Sequence, residues 1–360
     1  MSSDRLDQLT ARADQAHDRY RGEFAGRSRI GRDPQVLDGL VAQLQQVLVE
    51  CSSVEGTESL RGTIEQRIDL YRSERKAIAD AQAGGPDVAA AFRMHDWSWM
   101  DGRRYARHFA GQGRSTRDLG LMLEMLEGER RRKAAMERMA GRHEAGWRGE
   151  TIQAMTEGVK LYSGEAEAIA ETRAGLGVGQ KAQILATLAN AQFQLYRTHF
   201  EGQSRRTRRP ALLDRIIGQL RDIASGMEAL DKGGLDSEAN RGNIQKVRDR
   251  IRHHEAEVVK VKQARANTTP ADLSSAYADE ANALFKEYRE RFAGRPRKDV
   301  DAEGLSGLCD RILVVAQNMG DLHAASALPG VDKNLLITLD NLKAYEREWS
   351  RVQEAQRPTA

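Results

Sequence analysis

Only two cysteines occur in 360 residues, Cys51 and Cys309. Neither has CxxC spacing or a partnering histidine pattern, so a disulfide framework and a thiolate-held metal are set aside. Both fall on apolar stripes and read as small buried hydrophobes in a reducing compartment. Prolines number seven and aromatic residues make up 5% of the chain, too few for a turn-rich β-sandwich or barrel. No run approaches the roughly 18 to 20 apolar residues of a membrane span. The acidic, amphipathic start MSSDRLDQLTARADQAH lacks the apolar stretch of a signal peptide. A cytoplasmic location is therefore expected.

The chemistry-bearing patterns are missing too. There is no P-loop, no GxGxxG after a strand, no HExxH and no GxSxG. In RHHEAE, residues 252–257, the adjacent His253 and His254 point to different sides of a helix, and the paired Glu-x-x-His motifs of di-iron bundles do not occur. No catalytic residue, cofactor or metal is assigned, and the chain reads as non-enzymatic. Charge of one sign is scarce as well. Lys and Arg number 56 against 53 Asp and Glu, leaving +3, which favours no class of partner. Only residues 179–266 depart from balance, with 17 basic against 10 acidic side chains. That makes them the one candidate for a strongly basic surface.

What is present is helix-forming sequence with a repeating register. Apolar residues make up 40% of the chain, enough to build a core, and Arg outnumbers Lys by 44 to 12, a bias typical of bacterial genes rich in G and C. Tyr20, Tyr105, Tyr196 and Tyr288 are spaced by 85, 91 and 92 residues. Four residues after each comes Phe24, Phe109, Phe200 or Phe292, and two later Gly26, Gly111, Gly202 or Gly294. An Arg follows three beyond each Gly: Arg29, Arg114, Arg205 and Arg297. Apolar positions resume in step at Leu37, Met122, Leu213 and Leu305. Matches at constant offsets are the signature of an internal repeat.

Each unit reads as three helices. Leu6, Leu9, Ala13, Ala16 and Tyr20 step by three and four and so share one stripe. The Gly after the Phe marks a helix end in the left-handed region. Asp33 before Pro34 is a start signal, matched by Asp118 and Asp301 but replaced by Arg209 in the third unit. Gly- and Pro-bearing breakers, AGGPD at 83–87, AGLGVGQ at 174–180 and ANTTPAD at 266–272, separate the units. The expected fold is all-α: a tandem array of four three-helix repeats of about 90 residues, as bundles or an α-solenoid. The expected boundaries are 1–85, 86–177 (divergent), 178–269 (basic) and 270–360.

Two groups of residues stand out as candidate sites. The connectors after each first helix are basic, carrying Arg29 and Arg32, then Arg114 and Arg117, then Arg205, Arg206, Arg208 and Arg209, then Arg297. A guanidinium there can hold the last carbonyls of the helix or an acidic neighbour. It can equally form a rim for phosphates or carboxylates, and the surplus of arginines over what a cap needs supports that second use. The other group lies in the divergent unit, where RMHDWSWMDGRRY spans 93–105. Ser98 and Asp101 replace small apolar residues on its stripe, and Glu129 stands where the other units have Leu44, Leu220 and Ile312. A lone buried carboxylate is costly. Glu129 is therefore expected to be paired, in solvent on a locally rotated helix, or in a groove with Trp97, Trp99 and Arg132 that receives a partner helix or peptide. His108 and His199 share one repeat position with Glu23 and Arg291, which suits a solvated site.

These features favour an interaction scaffold or structural protein with a protein partner. The alternatives are a binder of nucleic acid or another polyanion through the connectors, and an enzyme or metalloprotein of unrecognised type. No stacking aromatics occupy the connectors, and no helix-turn-helix, zinc-finger or RNA-module signature appears.

Overall fold

The computed structural model describes residues 2–24, 32–83, 85–140, 146–235, 237–326, 328 and 330–357. Among them the chain forms α-helices and no strand. In chain order these are α1 (Ser2–Glu23), α2 (Pro34–Cys51), α3 (Glu58–Ala83), α4 (Gly85–Phe109), α5 (Leu119–Ala140) and α6 (Gly146–Ala174). There follow α7 (Val178–Phe200), α8 (Pro210–Lys232), α9 (Glu238–Ala266), α10 (Pro270–Arg291), α11 (Ala302–Ser326) and α12 (Val331–Gln356). Short 3-10 turns at Arg114–Thr116 and Arg297–Asp299 precede α5 and α11. Among the described residues no helix is long and apolar enough to cross a membrane.

Helix boundaries follow the local chemistry. Asp33 accepts the Gln35 amide at 2.9 Å at the head of α2, Asp118 the Leu121 amide at 2.9 Å before α5, and Asp301 the Gly304 amide at 2.8 Å before α11. Each satisfies a backbone donor left over at a helix start. Arg209 makes no such bond before α8. It leaves Pro210 to open that helix and reaches Asp321 on α11 at 2.6 Å instead. At the far ends of α4, α7 and α10, Gly111, Gly202 and Gly294 adopt φ of 78°, 76° and 73°, a region costly for residues bearing a Cβ. Gly26 lies outside the described residues.

The chain divides into two compact units, Met1–Trp97 and Ser98–Ala360, with α4 running across the division. In the first, α1, α2 and α3 pack on one another around Leu9, Ala13, Leu37, Leu40, Leu44 and Tyr71. In the second, α5 packs on α6, α7 on α8 and α9, and α10 on α11 and α12. Neighbours in sequence thus bury one another's apolar stripes, the dominant favourable term in folding. Leu213, Ile216, Ile217, Leu220 and Met227 of α8 are all buried. Both cysteines are free and buried.

One aromatic contact recurs. Tyr20 stacks on Tyr71 with ring centroids 4.5 Å apart, Tyr196 on His254 at 4.1 Å and Tyr288 on Tyr345 at 3.7 Å, while Tyr105 meets Tyr162 at 5.8 Å in a tilted pair. The partners Tyr71, Tyr162, His254 and Tyr345 are spaced by 91, 92 and 91 residues. Phe24, Phe109, Phe200 and Phe292 are buried beside them.

Candidate functional site

Three of the connectors carry arginines bonded to a carboxylate partner that also repeats, while about half of Arg114, Arg205 and Arg297 stays in solvent. Arg114 donates to Glu165 of α6 at 2.9 Å, and Arg117 bonds the other oxygen of the same carboxylate. Arg205 grips Glu257 of α9 through Nε at 2.7 Å and Nη2 at 3.2 Å, joined by Arg208. Arg297 holds Glu348 of α12 through Nε at 2.8 Å. Glu165, Glu257 and Glu348 are spaced by 92 and 91 residues, and Glu74 stands 91 before the first of them. The Arg114 bond holds the Glu165 carboxyl below the usual range. Burial would push Glu257 up, but the bond from Arg205 and the Arg208 charge outweigh it and leave that carboxyl lowered.

A second contact ties the connector backbone to the end of the same helices. Arg173 Nε donates to the Ser115 carbonyl at 3.0 Å, Arg265 to the Arg208 carbonyl at 3.1 Å, and Gln356 to the Val300 carbonyl at 2.7 Å. Gln82 reaches the Arg32 carbonyl in the same way. Arg32 is half-buried, Arg206 is exposed and Arg29 lies outside the described residues. Among the described residues eight of the predicted anion-site arginines lie on connectors, and Arg114, Arg117, Arg205, Arg208, Arg209 and Arg297 bond carboxylates of this chain.

Glu129 takes the paired arrangement. It is 1% exposed, neither in solvent nor in an open groove. It accepts from the Ser98 hydroxyl and from Arg132 Nε at 3.0 Å and Nη2 at 2.7 Å, while Arg132 also bonds Asp101. Burial drives the Asp101 carboxyl up despite the nearby Arg132 and Arg104 charges. Room for the carboxylate comes from Gly158 on α6, where a Cβ would sit 3.1 Å from Glu129 Oε1. A closed polar layer therefore stands where Ala13, Ala16, Leu44 and Val47 occur 85 residues earlier. Trp97 ends the first unit. Trp99, half-buried in the second, lies under the Arg103 guanidinium, 5.7 Å from the ring centroid. The structure does not bring the four predicted groove residues to one surface.

A third constellation went unforeseen. The Arg107 side chain is wholly buried, bonds Asp310 at 2.9 Å and the Ser306 carbonyl at 3.0 Å, and forms an ion pair with Glu346 at 3.0 Å. His108 Nε2 lies 3.0 Å from Asp310. Burial opposes ionisation of Asp310, but Arg107 and His108 together keep its carboxyl well below the normal range. His199, expected in solvent, is 4% exposed. Burial lowers its pKa to about 4, with Asp310 opposing and Arg215 and Arg104 adding to the shift. No consensus residue flags Arg107 in the sequence: the equivalent position in α7 is Thr198.

No protein-family model matches the sequence, and neither a curated protein nor a solved structure matches it.

Proposed function

We propose that this chain is a non-enzymatic interaction scaffold made of four three-helix units at residues 1–85, 86–177, 178–269 and 270–360, working through a protein partner. The observation that carries this reading is the recurrence of one construction. An aromatic pair links a first helix to a third helix, and a connector arginine is bonded to a third-helix glutamate at the same register. The residues that repeat most faithfully are spent on holding helices together, which leaves the helix surfaces between them to vary. Arrays of this kind offer partners an extended surface. Glu129 and Arg132 have no part in that surface, and Trp99 with Arg103 is the anchor that remains from the sequence-based groove.

A polyanion-binding reading draws on one observation. Arg206 is exposed, and Arg205 keeps half of its side chain in solvent while bonded to Glu257. Fluorescence-anisotropy titrations of labelled DNA, RNA and polyphosphate at several salt concentrations separate the two. They are run on the native chain and on a variant with Arg205, Arg206, Arg208 and Arg209 changed to Gln. The scaffold reading expects no submicromolar binding even at low salt. Submicromolar, salt-steep binding that is lost in a folded variant would replace it with counterion-releasing contacts to phosphates.

A further inference from the structure

The second unit contains a half-open cleft of about 990 Å³ among α4, α5, α7, α8 and α11. It exists because these helices are bridged there by long polar side chains rather than by interlocked apolar stripes. Arg215 of α8 bonds Glu124 of α5, and Gln192 of α7 bonds Asp118 at 2.9 Å. The floor is apolar, made by Leu121, Leu188, Leu212 and Leu313. Its size falls in the range of pockets that enclose small organic molecules.

One wall carries more donors than acceptors. Arg104 donates to Glu124 Oε1 at 3.0 Å, and Arg215 bonds the other oxygen of the same carboxylate. Both guanidiniums are largely buried, at 11% and 13% side-chain exposure, while Glu124 is at 41%. Each Nε is buried without an acceptor. A guanidinium has five N–H donors, so one carboxylate bonded between two of them leaves several donors unmatched, although Asp101 and Asp310 also act on the Arg104 charge. Burial pushes the Glu124 carboxyl up, yet the two arginines bring it down to about 2. Glu124 is thus fully ionised at neutral pH and its charge is already counted.

The facing wall presents acceptors. Gln192, which lines the cleft, and Gln219, which does not, both direct their amide nitrogens to Asp118, at 2.9 Å each. A carboxylate only accepts, so this fixes both amides and leaves each Oε1 buried without a donor. Gln192 is 2% exposed and lines the cleft, as does His199, whose Nδ1 is also unpartnered. Buried polar groups are nearly always bonded, and leaving one unpaired is costly. Both walls thus ask for groups that this chain does not supply.

We propose that this cleft is a binding site for a small organic acid with an apolar body, its carboxylate seated at Arg104 and Arg215 and a hydroxyl or amine proton directed to Gln192 and His199. The assignment is independent of the scaffold reading and of any protein partner. The probe pair is 6-hydroxy-2-naphthoate and 6-hydroxy-2-naphthamide, which share size and apolar area and differ in charge. Isothermal titration calorimetry on the full chain should give one site per chain for the acid, at least tenfold tighter than for the amide. Ala191→Trp on the exposed lip of α7 should abolish it, and Arg215→Gln should weaken it at least tenfold. Both variants are checked for native melting. If Arg215→Gln fails to fold, the acid-to-amide ratio and the lip variant decide alone. No binding, equal affinity for acid and amide, or unchanged binding in the lip variant would each overturn the proposal.

Discussion

Replacing Arg132 with Leu should test whether the buried polar layer of the second unit is as closed as its geometry implies. Arg132 makes three bonds, two to Glu129 and one to Asp101, and its loss strands both carboxylates in the interior. Breaking a buried ion pair by removing one partner costs about 3 to 5 kcal/mol. The cost has a ceiling, because a stranded carboxyl can take up a proton. Neutralising a group of ordinary pKa near 4 at pH 7 costs about 1.4 kcal/mol per unit, hence about 4 kcal/mol. The deficit should therefore shrink on going from pH 7 to pH 5, since each unit of acid makes that proton about 1.4 kcal/mol cheaper.

The companion variant exchanges the whole layer for the residues found 85 positions earlier: Ser98→Ala, Asp101→Ala, Glu129→Leu and Arg132→Val together. Apolar replacement of an entire buried network is often neutral or stabilising by about 1 to 4 kcal/mol. Urea denaturation followed by far-UV circular dichroism at pH 7 and pH 5 reads both variants. A single-variant loss below about 0.5 kcal/mol, the range of surface changes, would refute the burial argument. A fourfold variant less stable than Arg132→Leu would refute the claim that the layer is interchangeable with an apolar one.

Other perturbations probe the remaining architecture. Phe200→Ala, at a fully buried ring, should cost about 3 to 5 kcal/mol by chemical denaturation; a change near zero would mean that α7 does not bury this face. Glu257→Gln leaves Arg208 without its carboxylate and should cost about 1 to 3 kcal/mol, whereas Arg206→Gln at the exposed neighbouring position should stay within about 0.5 kcal/mol. His199 is buried neutral, with its pKa lowered to about 4 from 6.5. The unfolded chain binds the extra proton between those values, so its contribution is present above pH 6.5 and is lost as pH falls toward 4. At about 1.4 kcal/mol per unit this reaches roughly 3 kcal/mol, and His199→Gln should flatten the melting temperature over that interval.

Much of the helical architecture was legible because it rests on local chemistry. Asp33, Asp118 and Asp301 cap helices where the sequence places a start signal, and Gly111, Gly202 and Gly294 turn left-handed where it places an end. Burial of the Phe positions followed from their spacing along one stripe. What escaped depended on pairs far apart in the chain. The glutamates that meet the connector arginines lie about 50 residues further on, on α6, α9 and α12. They keep the spacing of Tyr71, Tyr162, His254 and Tyr345, so aligning the third helices as closely as the first exposes them. The space for Glu129 depends on one glycine in another helix, and a glycine in a helix carries no signal of what it faces.

Arg107 and His199 mark a different limit. Repetition exposes what every unit needs, and these residues sit where units stop being alike. At one repeat position the chain carries Glu23, His108, His199 and Arg291, a variation that reads as solvent freedom when each unit is considered alone. Inside the compact unit Ser98–Ala360 the two histidines instead act on the same aspartate, His108 by a direct bond and His199 through its field. Variation at a repeat position therefore has two physical causes, exposure to water or a contact that only one unit makes. The distinguishing sign is the partner: Asp310 has Gly218 and Glu127 at the equivalent positions of its neighbours, so the exception on one helix is matched by an exception on another. The cleft lies among these paired exceptions, so in the proposed array it is a feature that no single three-helix segment contains.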